Sequence, residues 1–333
     1  MTDQPPVSVV IATRNRADRL RRLIDLLDAL EGGPPAEVVI VDDGSTDDTP
    51  RVVQEQATRR PWLHVLSVDR SRGPAHARNL GWRQATGTYI AFTDDDCRPA
   101  PGWLRGLLAG HAGGADIVQG PTMPDPDEYD ARTALSHWIA VEEPSFRFET
   151  CNISYRRELL QRLGGFDEGF GTSRGGAPYG EDADLGWRAT EAGAAFVFTR
   201  EASVTHDVVT DGFRRFLARR LRRGTMPYFV RKHPEYRRLI PRPWLLSASH
   251  PPAVLALLGG LVAVALLAIG VWIVAGIIAV LAPMPYIYYR LFRDRVSGRR
   301  RMWPVAIAAT WLADLVEIAA LAAGSLRART LLL

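Results

Sequence analysis

Apolar positions in the first hundred residues switch between two periods. Val7–Ala12 (VSVVIA) is an unbroken apolar run of strand length. Leu20, Leu23, Ile24, Leu27 and Leu30 then recur at helical spacing over Asp18–Leu30, until Gly32-Gly33-Pro34-Pro35 breaks the pattern. Val38–Val41 reads as a second strand. Ser45-Thr46-Asp47-Asp48 opens a second helix, with Ser45 as N-cap and acids in the first turn. His64–Val68 is a third strand and Thr88–Thr93 a fourth. Between them Pro74–Gln84 is a helix with proline where its missing N–H costs least. Glu181–Ala192 predicts a helix and Ala195–Thr199 a strand. The rest of 120–210 is irregular, and Gly164–Gly180 (GGFDEGFGTSRGGAPYG) reads as a mobile loop. Strand–helix alternation predicts an α/β domain whose mostly parallel sheet is covered on both faces. Ligands of such sheets bind beyond the carboxyl ends of the strands.

The pattern changes after residue 210. Phe213, Phe216, Leu217 and Leu221 share one face of a short helix whose other positions are largely arginine. That is the pattern of a helix lying in a membrane interface, or of a docking helix with a solvated basic face. From Pro251 to Tyr289 no residue is charged, a run about twice the roughly 20 residues that one span needs. Two spans, about 252–269 and 272–290, fit it with a turn near Gly270. Trp303–Leu326 is a third apolar segment, with Asp314 and Glu317 on one helical face. A charge at a helix centre costs about 2.5–3.5 kcal/mol on insertion scales, so these acids face a helix bundle or the segment lies shallow. The expected division is a catalytic domain over 1–210, a basic interfacial segment over 211–245 and a membrane region over 246–333, with a third span at about 303–325.

Charge decides between two partners for the basic segment. From Arg214 to Arg242 eleven Lys and Arg face one acid, Glu235. Nucleic acid is one partner for such a patch. The apolar run that follows argues for a membrane surface and no nucleic acid. Arg290–Arg301 carries six arginines, which the positive-inside rule assigns to the cytoplasm. Two spans return the chain to its starting side, so the N-terminal domain is expected on the cytoplasmic face. Two cysteines, Cys97 and Cys151, fit a reducing compartment. The N-terminus does not read as a signal peptide.

The candidate chemistry is carboxylate-rich. Asp94-Asp95-Asp96 ends the fourth strand (YIAFTDDDCRP), where three like charges repel one another. A solvated acidic turn is one reading. The other is a site for Mg²⁺ or Mn²⁺, which take carboxylate oxygens together with substrate phosphates. In extended chain Asp94 and Asp96 share a face and Asp95 points elsewhere. Asp42-Asp43 ends the second strand; it fits a capped turn or a hydrogen bond to a nucleoside. Glu181-Asp182 starts a helix after the glycine-rich segment. These acids satisfy a helix dipole or supply a general base. Asp184 and Arg188 (i, i+4) read as a structural pair. A lone histidine such as His206 is a core residue or a metal ligand.

Five stretches in order carry a resemblance: IATRNR (Ile11–Arg16), VDDGSTDDT (Val41–Thr49), RGPAHARNLGWRQATGTYIAFTDDDCRP (Arg72–Pro99), GGFDEGF (Gly164–Phe170) and GEDADLGWR (Gly180–Arg188). Over about residues 5–210 the chain resembles the family 2 glycosyltransferases, whose fold is the Rossmann-like GT-A fold. The resemblance implies a sugar-nucleotide donor, with Asp43 at the base, Thr13 and Arg14 lining that pocket and Arg78 near the nucleotide. Asp94–Asp96 matches the family's DxD element, with Asp96 as metal ligand, Asp94 near ribose or metal, Asp95 beside the donor and His206 as a further ligand. Asp182 matches the catalytic base of an inverting transfer. Glu181 and Asn152 fall near the acceptor. The QxxRW element of members that build long polysaccharides is not evident after His206, which favours transfer of one sugar. A lipid-linked or other glycan acceptor follows from the membrane segments rather than from a motif.

Overall fold

The computed structural model describes residues 7–170, 179–240, 242, 244–293 and 303–333. The centre of the glycine-rich stretch, 171–178, and most of the arginine-rich stretch, 294–302, lie outside the described residues.

The chain forms two compact units. The first comprises residues 1–129 and 138–208. Its strands are β1 (Val7–Thr13), β2 (Glu37–Asp42), β3 (Leu63–Ser67), β4 (Tyr89–Thr93), β5 (Cys97–Pro99), β6 (Ile117–Gln119), β7 (Thr122–Pro124), β9 (Asn152–Arg156), β10 (Phe196–Phe198) and β11 (Val204–His206). Its helices are α1 (Ala17–Asp28), α2 (Thr49–Arg59), α3 (Pro74–Gln84), α4 (Trp103–Ala112), α5 (Pro126–Asp130), α6 (Arg157–Leu163) and α7 (Glu181–Glu191). Seven strands form one sheet in the order β10-β6-β9-β4-β1-β2-β3. It is parallel except for β9, which runs antiparallel to β4 and β6. A second sheet, β5-β11-β7, stands beyond the end of β4.

The apolar periods explain the core. Val9 and Ile11 face a layer with Leu20, Leu23, Ile24 and Leu27 of α1. Val10, Val39 and Val41 face the opposite layer, with Ala77, Trp82, Phe92, Tyr155 and Leu185. Strand residues alternate between the layers, so every position of β1 and β4 is apolar or small. Close packing fixes particular residues. A Cβ on Gly81 would stand 2.4 Å from a Val10 methyl, because α3 lies directly on β1.

One expected boundary moves. The second helix begins at Thr49, with Asp48 as N-cap and Asp47 accepting the Thr49 amide at 2.9 Å. Ser45 instead accepts the Asn15 amide at 2.9 Å, and Thr46 donates to Asn15 Oδ1 at 2.7 Å. Asn15, at φ 55, holds the left-handed turn that brings the two loops together.

The second unit comprises residues 130–137 and 209–333. A two-stranded ribbon pairs β8 (Ser136–His137) with β12 (Val209–Thr210). The helices are α8 (Phe213–Arg222), α9 (Met226–Lys232), α10 (His250–Ala268), α11 (Trp272–Leu281), α12 (Met284–Tyr288) and α13 (Trp303–Ala328). Among the described residues three apolar helices are long enough to cross a membrane: His250–Ala268, Trp272–Arg293 and Trp303–Ala328. Phe216 is the buried residue of the apolar face of α8, while Phe213 and Leu221 are exposed. The arginines of α8 do not all lie outward. Arg220 and Arg223 reach Glu317 of α13 at 3.1 and 2.7 Å. Asp314 pairs with Arg290 at 2.5 Å and accepts the Tyr286 hydroxyl at 3.0 Å. Both intramembrane-type acids are therefore buried and paired.

Candidate active site

The strand ends of the first unit converge as the topology requires. Thr13 closes β1, Asp43 follows β2 and Asp94–Asp96 follow β4. Thr13 Oγ1 donates to Asp95 Oδ2 at 2.7 Å, so Asp95 is turned inward against β1. Arg16 approaches its other oxygen at 3.7 Å. Arg14 is exposed. Asp43 is buried, and its carboxylate accepts the Ser71 hydroxyl at 2.5 Å and the Arg72 and Gly73 amides at 2.9 and 3.0 Å. It thus fixes the loop that leads into α3.

Asp94 and Asp96 turn to different partners. Asp94 accepts Arg78 Nη2 at 2.9 Å, and Arg78 Nη1 donates to Glu181 at 3.1 Å. One buried guanidinium thereby joins the aspartate triplet to the Glu-Asp pair of α7. Its pKa is raised by Asp94 and Glu181, which outweigh burial. Asp96 lies 3.4 Å from His206 Nε2, and 3.6 Å from Arg19. His206 Nδ1 is 2.6 Å from the carbonyl of Asp207. A carbonyl only accepts, so Nδ1 carries a proton, and Nε2 is the nitrogen that faces Asp96. Cys97 is the third member of this buried group, its Sγ within 4.8 Å of donor atoms of the other two. Burial and the Cys151 thiol push the Cys97 thiol up, so it stays protonated. A carboxylate and an imidazole Nε2 whose ring partner Nδ1 is held by a carbonyl are donors of the kind a divalent cation takes. Burial and neighbouring carboxylates hold Asp95 and Asp96 above the usual range, a repulsion that a cation relieves.

Asp182 stands in the first turn of α7, half-buried, with one oxygen accepting the Ala183 amide at 2.9 Å. Burial and the Glu181 charge push it up to about 8, against the opposing pull of Arg78. Such a carboxyl binds a proton readily near neutral pH, as a general base should. Glu181 is buried and committed to Arg78. Asn152 requires a correction. It is 1% exposed, its amide donates to the carbonyls of Pro121 and Ala202 at 2.9 and 2.7 Å, and its oxygen accepts Trp103 Nε1 at 2.8 Å. Its hydrogen bonds cross-link β9 to neighbouring segments and take up both amide protons. Asp184 and Arg188 pair at 2.8 Å, and Arg188 also donates to the Leu163 and Gly165 carbonyls.

Sequence reasoning missed three groups. Arg16, at the N-cap of α1, and Arg19 and Arg22 within it recur every three residues, and the first two face Asp95 and Asp96. Asp207 gathers Arg19, Arg22 and Arg98 at 3.3, 2.6 and 3.2 Å. Glu168 accepts Asn79 at 3.1 Å, pairs with His76 at 3.0 Å, and so ties the GGFDE stretch to α3. The i, i+3 arginine spacing was a readable signal; the partners of Asp207 and Glu168 were not, since they come from distant segments.

The strand-end acids lie in a stretch that matches a family model. Residues 8–173 match Glycosyl transferase family 2. This chain is a family 2 glycosyltransferase. A pre-mycofactocin glycosyltransferase of Mycobacterium tuberculosis is 33% identical over 244 residues, covering 69% of this chain and 48% of the relative. A glucosyl-dolichyl phosphate glucuronosyltransferase of Haloferax volcanii is 26% identical, over 60% of this glycosyltransferase and 68% of the relative. The chain thus spans about half the length of the mycobacterial enzyme. Among solved structures, a mannosyltransferase from Pyrobaculum calidifontis in complex with GDP-Man and Mn²⁺ superposes with a TM-score of 0.59 at 24% identity. That match covers 95% of this chain and 87% of the other. It establishes the GT-A fold.

Proposed function

We propose that this glycosyltransferase moves one sugar from a sugar nucleotide to an acceptor hydroxyl, with inversion, on the cytoplasmic face of a membrane. The observation that carries this reading is the Arg78 bridge. It holds the triplet that would meet the donor against the helix that bears the base.

Asp96 and His206 would hold Mg²⁺ or Mn²⁺, which supplies electrostatic stabilisation of a leaving diphosphate. Thr13, Asp43, Asp94 and Asp95 line the donor side, with Arg14 exposed at its rim. Arg78 holds Asp94 and Glu181 in place. Asp182 accepts the proton of the acceptor hydroxyl, whose oxygen attacks the anomeric carbon as the bond to the diphosphate breaks. Attack from the face opposite the nucleotide inverts that carbon.

A lipid-linked acceptor is supported by the apolar helices on the same chain and by the glucosyl-dolichyl phosphate relative. The pre-mycofactocin relative shows that family kinship does not select the acceptor. The test is purified full chain with Mg²⁺ or Mn²⁺ and a panel of sugar nucleotides, offered polyprenyl-linked and free sugars. Transfer to the lipid-linked substrate is expected. Transfer to free sugars alone removes the acceptor claim, and donor binding without any turnover, unaltered by Asp182→Asn, replaces the enzyme with a sugar-nucleotide-binding scaffold.

A further inference from the structure

The hydrogen bonds and ion pairs of the second unit fix where its apolar helices begin and end. Helix α10 and the helix Trp272–Arg293 form a hairpin turned at Gly270, whose φ of +82 suits glycine. The nineteen residues of α10 rise about 28 Å, close to the roughly 30 Å of a hydrocarbon core. Leu258, Leu261, Val264 and Leu267 stand exposed along it, a surface for lipid.

Ion-pair partners of Asp314 and Glu317 of α13 gather at the open end of this hairpin. His250, the first residue of α10, lies 3.3 Å from Glu317. Arg290, near the end of the returning helix, pairs with Asp314. Arg220 and Arg223 join at Glu317. From there α13 runs beside the basic elements. Gly224 and Gly324 touch so closely that a Cβ on Gly324 would stand 2.1 Å from the Gly224 carbonyl. Arg231 donates to the Ala328 carbonyl at 3.2 Å and Arg237 to Leu331 at 3.0 Å. Residue 333 then closes onto the segment ahead of α10: its amide donates to the Trp244 carbonyl at 2.8 Å, and the Leu246 amide donates to its carbonyl at 2.7 Å.

Arginine-rich α8 does not belong in hydrocarbon. The part of α13 from Glu317 onward therefore lies outside the core with it. Trp303 to Asp314 is twelve residues, about 18 Å of helix, little more than half of a crossing. We infer that α13, although apolar and 26 residues long, does not cross the membrane: it starts and ends on the side from which α10 enters, lying along the lipid boundary, and only the hairpin spans. Asp314 and Glu317 are then charges at an interface rather than within lipid.

Sidedness tests this independently of the sugar-transfer reading. Trp272→Cys, beside the hairpin turn, and Leu331→Cys, exposed near the end of the chain, would be made in the full chain and treated with a membrane-impermeant maleimide in spheroplasts. Cys97 and Cys151 are buried and contribute little background. Trp272→Cys should react in intact spheroplasts and Leu331→Cys only after lysis. Equal labelling of both in intact spheroplasts overturns the inference. A reporter fused after residue 333 of the unsubstituted chain gives a second reading: a fluorescent GFP fusion is expected, and an active alkaline phosphatase fusion refutes it.

Discussion

Asp182 and Arg78 set opposite demands on one pocket. Arg78 lowers the proton affinity of Asp182, while burial and Glu181 raise it, and the second influence wins at about 8. The base must be deprotonated to act, so kcat/KM should climb as pH rises through about 8 and fall tenfold per unit below it. A profile flat from pH 6 to 9 would remove Asp182 from the role. Asp182→Asn keeps the shape and loses the basicity; transfer should drop by about 10²–10⁴-fold while donor-induced thermal stabilisation persists. Arg78→Met leaves Asp94 and Glu181 without their cation. Removing one partner of a buried pair costs about 3–5 kcal/mol, so the urea midpoint should fall sharply. Arg78→Lys should recover only part, because an ammonium cannot span two carboxylates as a guanidinium does. Replacing Asp96 or His206 with Ala should abolish Mn²⁺-dependent donor binding, measured by calorimetry with and without the cation.

At the scale of elements, periodicity revealed what local burial dictates and little else. β1, β2, β4, α1 and α3 were legible because each buries one face or both. The short strands β5, β6, β7 and β11 were not: three residues show no period, and their pairing depends on distant partners. Ser45 misled because a serine before acids fits a cap, whereas here it satisfies the Asn15 amide. In the site, the acids could be read as strand-end chemistry, but Asn152 could not be assigned: an amide looks the same in sequence whether it meets a ligand or three protein groups. Gly165 shows how elements lock. At φ +77 its Cβ would lie 2.4 Å from Asn79 Oδ1 and 2.5 Å from Trp82 Nε1. Gly165→Ala should therefore cost about 1–3 kcal/mol through left-handed strain and displacement of the Asn79 side chain. Chemical denaturation of the purified variant measures it.

At the scale of the molecule, hydropathy alone treats α10, the Trp272–Arg293 helix and α13 as equals. Their partners distinguish them. Glu317 holds Arg220 of α8 and Arg223 just past its end from inside α13. Glu317→Leu should free α8, which limited trypsin digestion would reveal as faster cleavage at Arg214–Arg223 in the full chain. These contacts also impose an order of events on synthesis. Arg220 and Glu317 are 97 positions apart, with the whole hairpin between them. At about 5–20 residues per second the ribosome needs roughly 5–20 s to supply the partner. During that interval Arg220 and Arg223 have no Glu317 to meet, and on the proposed membrane location anionic lipid would be their counter-charge. The newborn chain would then be delivered to its membrane by the same side chains that later fasten its last helix.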